Sequence, residues 1–173
     1  MSLLTRMKHR GLAALATAFP SFGERLAAGY RAERQDDVVP WIAMERPLAA
    51  ATIALVTTAG VHHRDQPPYD MHDRDGDPSF RELDLERPLD SLTITHDYYD
   101  HTDADRDLNV VFPVERLRDL AASGEIGAVA RLAYAFMGHI TGRHLETLKR
   151  LTAPEVAARL KKAGVDAVLL APG

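Results

Sequence analysis

The sequence predicts a single α/β domain, three layers deep with a mainly parallel sheet, preceded by a helical N-terminal arm. Three observations carry that expectation. The run Ala51 to Thr58 is a nearly unbroken β-favouring apolar stretch, the pattern of a strand buried on both faces, and Val165 to Leu170 is again a mostly apolar strand. Between them helix signals recur, with Pro113 opening one segment and the capping pattern Thr152-Ala153-Pro154-Glu155 opening another. A chain of 173 residues with 46% hydrophobic and 27% charged side chains suits one buried core and lies far from the composition of disordered chains.

Taken in order, Leu3 to Arg34 alternates small, apolar and charged residues at helical spacing with a break at Pro20. This predicts two short helices, with Leu12 and Leu15, then Leu26 and Tyr30, on their apolar sides. The arm and its linker are expected over residues 1–39 and the α/β domain over 40–173, with Trp41 anchoring one on the other through its large apolar surface. The strand from Ala51 to Thr58 closes at Ala59-Gly60. From Val61 to Glu86 the chain is crowded with Asp, His, Pro and Gly and reads as one long loop, a feature that is usually functional inside a compact domain. Leu92 to Thr95 reads as a short strand. Pro113 sits in the first turn of a helix whose Val114, Leu117 and Leu120 share a face and which Gly124 ends. Ile126 to Ile140 reads as another strand region. A helix from Thr152 to Ala163 stops at Gly164, and a last strand runs from Val165 to Leu170, before Ala171-Pro172-Gly173.

Composition narrows the function. A net charge of -4 gives no basic face for nucleic acid, and no segment reaches the roughly 18 apolar residues of a membrane span. The basic start of the chain mimics a signal peptide, but Phe19-Pro20-Ser21-Phe22 offers no small-residue cleavage pattern, so a soluble, cytoplasmic protein is expected. There is no cysteine, hence no disulfide, no thiolate nucleophile and no cysteine metal ligand.

Ligands of open α/β sheets bind outside the carboxyl ends of the strands, which directs attention to two stretches. In Thr57-Thr58-Ala59-Gly60-Val61-His62-His63, Thr58 or His62 either touches a polar ligand or completes a structural turn. Thr95-His96-Asp97-Tyr98-Tyr99-Asp100-His101 places two imidazoles and two carboxylates on one short loop. Imidazole with carboxylate is a ligand set for zinc, iron or manganese, and also the makings of general acid–base catalysis at neutral pH. Alternatively these residues join Asp103, Asp105, Arg106, Asp107 and Asn109 in a polar network that only caps the next helix. The alternating Asp residues of Asp70 to Pro78 partly match a calcium loop, but the full spacing is lacking and Asp84 stands where a closing Glu belongs, so a charged turn serves as well.

Two resemblances sharpen these alternatives. The 95–101 stretch is close to the Thr-His-x-His-x-Asp-His motif of metallo-β-lactamase-like hydrolases, although Tyr98 replaces the second His and removes a ligand. More extensively, Val56 to His62, Asp75 to Arg81, Leu92 to His101, Asp103 to Asn109, Val111-Phe112-Pro113, Phe136-Met137-Gly138-His139 and Gly164 to Leu170 together resemble the glycine/sarcosine/betaine/D-proline reductase selenoprotein B family, from about Pro40 onward. That resemblance implies an α/β fold and reductive cleavage of a carbon–nitrogen bond in an amino acid or its N-methylated relative. It implies a selenocysteine or cysteine nucleophile in a turn following the last strand, a thiol reductant, and a pyruvoyl group on a companion subunit.

No such nucleophile is present here, so the isolated chain is expected to be inactive. A stop at a selenocysteine codon, a truncated reading frame and a naturally short paralogue are the three explanations. The expected pocket residues are His62, His96, Asp100 and His101, with the imidazoles moving protons, and Thr58 or Arg106 holding a substrate carboxylate; no cofactor or metal is expected in the chain itself. The expected partners are a small amino-acid-like substrate, a companion reductase subunit and a second copy of the chain. The rival functions are a catalytically silent binding or assembly subunit and a metal-dependent hydrolase centred on His96, Asp100 and His101.

Overall fold

The computed structural model describes residues 3–28 and 42–173. Two helices, α1 (Leu3–Ala18) and α2 (Pro20–Ala28), form the arm. The proposed pairing of Leu26 with Tyr30, the linker at 35–37 and the Trp41 anchor fall on residues or side chains outside that description. The domain then runs β1 (Thr52–Thr57), β2 (Val61–His63), β3 (Arg81–Asp84), β4 (Leu92–Ile94), α3 (Thr102–Arg106) and α4 (Val114–Ala122). It continues with β5 (Ala128–Val129), β6 (Leu132–Ala135), α5 (His144–Thr147), α6 (Ala153–Lys162) and β7 (Ala167–Ala171).

β1 is the central strand. Along one edge it pairs in parallel with β5 at Thr52 and Ile53, then with β6 at Val56 and Thr57; it also pairs along five residues with parallel β7. β3 adds antiparallel to β6, from Arg81 opposite Ala135 to Asp84 opposite Leu132. Because side chains alternate across a strand, Ile53 and Leu55 enter one core with Phe112, Val114 and Leu117 of the α4 side. Ala54 and Val56 enter the other, with Val156 and Leu160 of α6. The sheet is thus covered by helices on both faces, and the continuous apolar run of β1 follows from that double burial. β2 and β4 form a separate antiparallel pair, Val61 opposite Ile94 and His63 opposite Leu92.

Three elements differ from the sequence expectation. The stretch Val61 to Glu86 is not one loop, since it contains β2 and β3. The polar residues of β2 are hidden in a strand with partners distant in sequence, Thr95 for His62 and Ser91 for Nδ1 of His63, whose Nε2 is buried without one. The region Ile126 to Ile140 is two strands broken at Ala130-Arg131, where the Ala130 amide donates to the Ile53 carbonyl. Thr152 caps nothing: its backbone is already helical (φ -77°, ψ -41°), its side chain makes no capping bond, and its Oγ1 is buried without a partner. An N-cap needs an extended backbone, and here the helix has begun at His144 and passes through one π-helical turn, Leu148–Thr152. Pro154 follows directly; it has no amide to give to Arg150, and the widened turn accommodates that loss. Pro113, likewise, is the N-cap of α4 rather than a first-turn residue, while Gly124, at φ 78°, follows the helix end as expected.

Candidate functional site

β1, β6 and β7 deliver their carboxyl ends to one place. Thr57 ends β1 with its hydroxyl donating to the Val111 carbonyl (2.8 Å) and accepting from the Ala59 amide (3.1 Å), which fixes the chain's departure from the sheet. The Thr58 amide donates to Ala171 O, and the Gly173 amide donates to Thr58 Oγ1 at 3.2 Å, so Thr58 bridges the ends of β1 and β7. Gly138, just past β6, closes in from the other side. A Cβ there would stand 3.0 Å from the Thr58 carbonyl oxygen and 3.4 Å from His96 Nε2, a tight approach that any larger residue would have to push apart by a few tenths of an ångström.

His96 is 4% exposed and is caught between two backbone donors, with the Tyr98 amide facing Nδ1 (3.1 Å) and the Gly138 amide facing Nε2 (3.2 Å). A neutral imidazole has one acceptor lone pair, so only one of these amides is bonded at a time, and a protonated ring would face donors with donors on both sides. Burial first, then the neighbouring His139 and His101, lower the His96 pKa to about 4, against a small opposing effect of Asp97. At neutral pH this ring is therefore an uncharged acceptor. Around it stand Tyr99, edge-on at 4.8 Å between ring centroids, and a parallel stack of Tyr98 on His139 at 3.9 Å. The Tyr99 hydroxyl donates to Ala59 O, and burial raises its pKa, keeping it protonated.

His101 follows at the rim. Its Nδ1 lies 2.8 Å from Asp105 Oδ2, and since the carboxylate can only accept, Nδ1 carries the proton. The segment Tyr99 to Thr102, with Asp105 and Ala14 of α1, lines a cavity of about 290 Å3.

Of the remaining sequence candidates, Asp100 shares the cavity with His101, while His62 and Arg106 lie elsewhere. His62 is buried behind β2, its Nδ1–H donating to the His63 carbonyl and its Nε2 accepting from the Thr95 hydroxyl, both at 2.8 Å. Both ring nitrogens are occupied, and burial above all lowers its pKa. Asp100 Oδ1 accepts from the Thr102 amide and hydroxyl, which depresses the carboxyl's pKa and starts α3. Arg106 is exposed, pairs with Asp103 at 3.2 Å, and borders a different depression of about 380 Å3 shared with Arg64 and Asp90. Thr58, His96 and His101 are thus brought together. Sequence reasoning passed over Tyr98, Tyr99, Asp105, Gly138 and His139. For Gly138 and His139 a signal existed, since they stand in the Phe136-Met137-Gly138-His139 stretch that carries part of the family resemblance.

His96, Asp100 and His101 do not form a ligand set, for each is turned to its own partner, and among the described residues no three His, Cys, Asp or Glu side chains converge on a point. The Asp-rich turn is also satisfied internally. Asp70 accepts from the His72 amide and Asp77 from the Ser79 amide; Asp73 accepts from the Asp75 amide, pairs with Arg143 and lies 3.0 Å from His144 Nε2. The Asp75 amide, then His144, holds the Asp73 carboxyl at a pKa of about 2. These pairs dock the turn against the 138–144 segment so closely that a Cβ on Gly76 (φ 89°) would fall 1.7 Å from the His139 carbonyl oxygen.

Comparison with known proteins fits this geometry to a family. The model for glycine/sarcosine/betaine reductase selenoprotein B matches residues 14–172. The chain belongs to that selenoprotein B family. It is 37% identical over 133 residues to the D-proline reductase subunit gamma of Acetoanaerobium sticklandii, covering 77% of this chain and 53% of that one. It is 32% identical over 138 residues to the glycine reductase complex component B subunit gamma of Carboxydothermus hydrogenoformans, covering 78% of this chain and 31% of the relative. With the betaine reductase complex component B subunit beta of Peptoclostridium acidaminophilum it shares 33% over 146 residues, 79% of this chain and 31% of the other. The selenoprotein B-like chain thus spans about half the length of the first relative and about a third of the other two. No solved structure was found to match it. These 173 residues contain no cysteine and so lack that nucleophile, and among the described residues no helix is long and apolar enough to cross a membrane.

Proposed function

We propose that this chain provides the substrate-binding framework of an amino-acid reductase B subunit, with its site at the shared carboxyl ends of β1, β6 and β7. The observation that carries the reading is the convergence there of Thr58, Gly138 and the uncharged His96, held by backbone rather than by each other. The substrate is a small amino acid or an N-methylated relative. Thr58 offers a hydroxyl to its carboxylate, Arg106 being the second candidate for that task; His96 accepts a hydrogen bond and His101 moves a proton. Of the other two expected pocket residues, His62 serves folding, while Asp100 starts α3 and also lines the cavity beside His101. The carbon-attacking thiol or selenol comes from polypeptide outside these 173 residues, a thiol reductant regenerates it, and a companion subunit carries the pyruvoyl group. We divide the chain into an arm and linker over 1–39 and a reductase-like domain over 40–173, working in the cytoplasm.

The test is calorimetric titration of the 173-residue chain with glycine, sarcosine, betaine and D-proline, followed by turnover with dithiothreitol. One of the four is expected to bind, with no turnover by the chain alone and turnover once it is extended through a cysteine-bearing turn and mixed with the companion subunit. Absence of binding by all four overturns the reading. A silent assembly subunit is the second reading, favoured by the missing cysteine together with the open edge of β7, where Leu170 is 71% exposed. It predicts stable association with the companion subunit and no turnover by the extended chain.

A further inference from the structure

We propose that Asp105 is the positioning residue for His101, and that the pair forms a proton-accepting dyad opening into the cavity between α1 and the 99–105 segment. The proposal rests on the amino-acid-binding reading above and assigns its proton-moving step to a defined atom. The Asp105 carboxylate accepts a hydrogen bond from Nδ1–H at 2.8 Å, so the neutral ring has its lone pair on Nε2, and no described residue bonds that nitrogen. The pair is rigid for a surface dyad. The Asp105 amide donates to the His101 carbonyl at 2.8 Å, fixing the two residues one helical turn apart. Tyr99 packs edge-on to the imidazole with centroids 5.7 Å apart and is itself tied to the end of β1 through Ala59. The His101 side chain is 19% exposed, against 55% for Asp105, so the carboxylate stays solvated while the imidazole is largely covered.

The cavity selects the ligand. At about 290 Å3 it lies at the lower limit of small-molecule pockets, and its wall combines the His101 imidazole, the Tyr99 ring and the carboxylates of Asp100 and Asp105, with Ala14 at the arm side. Such a lining favours the ammonium end of a zwitterion. In the step assigned here an ammonium N–H bond breaks, the proton passes to Nε2, and the electron pair stays on the substrate nitrogen. The products are a neutral amine, ready for bond-making at nitrogen, and an imidazolium whose charge faces Asp105. Primary and secondary amines such as glycine and D-proline can supply that proton. A trimethylated ammonium such as betaine has none to give.

The experiment is nitrogen-15 NMR of the His101 ring in the full chain, comparing wild type with Asp105→Asn and Asp105→Glu. In wild type the Nδ1–H form is expected; Asp105→Asn should move the ring toward the Nε2–H form and Asp105→Glu should restore it. An Nε2–H form in wild type overturns the dyad. Adding glycine or D-proline should then shift Nε2 in the direction of an accepted hydrogen bond in wild type and not in Asp105→Asn, while betaine, which has no N–H, should not do so in either. No shift with either amine, in a chain that calorimetry shows to bind one of them, overturns the proposal. In the reconstituted assembly Asp105→Asn should lower kcat roughly 100-fold, with a rise in KM from the lost carboxylate, and Asp105→Glu should recover kcat. Equal kcat overturns the positioning role, whereas an inactive wild-type assembly with the expected NMR shifts counts against the reductase reading and supports the dyad.

Discussion

His96 shows how position sets the chemistry of a single side chain. Its folded pKa of about 4 lies below the ordinary histidine value of 6.5 because burial and two neighbouring imidazoles disfavour the cation. The unfolded chain therefore binds more protons than the folded one between those values, and the contribution to stability, complete above about pH 6.5, is lost as pH falls toward 4. At about 1.4 kcal/mol per pH unit this amounts to roughly 3 kcal/mol. Urea titrations from pH 7 to 4 should show a shallower loss of stability in His96→Asn than in wild type; parallel curves would mean that the ring is not held neutral. Thr57 is a second case, with a fully buried hydroxyl bonded to the chain on either side of the strand end. Thr57→Val keeps the shape and leaves the Val111 carbonyl and Ala59 amide without that partner, which should cost roughly 1–3 kcal/mol in chemical denaturation.

At the scale of elements, the helix from His144 to Lys162 carries a defect that can be repaired. The Thr152 hydroxyl is buried in the π-helical turn without a partner, so Thr152→Val removes an unsatisfied group while conserving volume. Thermal unfolding should show a gain of about 1 kcal/mol. A loss would mean that Thr152 does act as a cap. The same helix shows why its start was misplaced in the sequence. Thr-x-x-Glu is a capping pattern by composition, but whether a threonine caps depends on the backbone arriving extended, and His144 to Leu151 had already committed that backbone to a helix. β2 escaped notice for a related reason. Two adjacent histidines are poor strand signals, and they are tolerated there through Thr95 and Ser91, about 30 residues away.

In the molecule as a whole, the sheet is closed on one side and open on the other. β7 is fully paired to β1, yet among the described residues no strand pairs with its outer edge, and its Val168 and Leu170 line an apolar groove of about 280 Å3 with Val56, Phe136, Val156 and Leu160. An edge without a charge, proline or bulge is prone to pair with other chains. Leu170→Lys should therefore leave the melting temperature within about 2 °C of wild type, as surface changes usually do, while reducing light scattering of concentrated solutions. Unchanged scattering would show that the edge does not drive association.

The sequence by itself determined the fold class, the central strand buried on both faces and the absence of a thiol, whereas the last strand, equally apolar, is left largely exposed. These follow from local composition, since a strand covered by helices on both sides has no polar face to alternate. It also marked the 95–101 stretch as chemically dense. Only the tertiary structure decided which of those residues work together. His62, His96 and His101 look alike in sequence, but one is saturated by strand neighbours, one is neutral between two amides, and one is aimed by a carboxylate at a cavity. For His62 and His96 the difference arises from partners distant in sequence, Thr95 and Gly138, which no spacing along the chain encodes, whereas the partner of His101 is Asp105, one helical turn on.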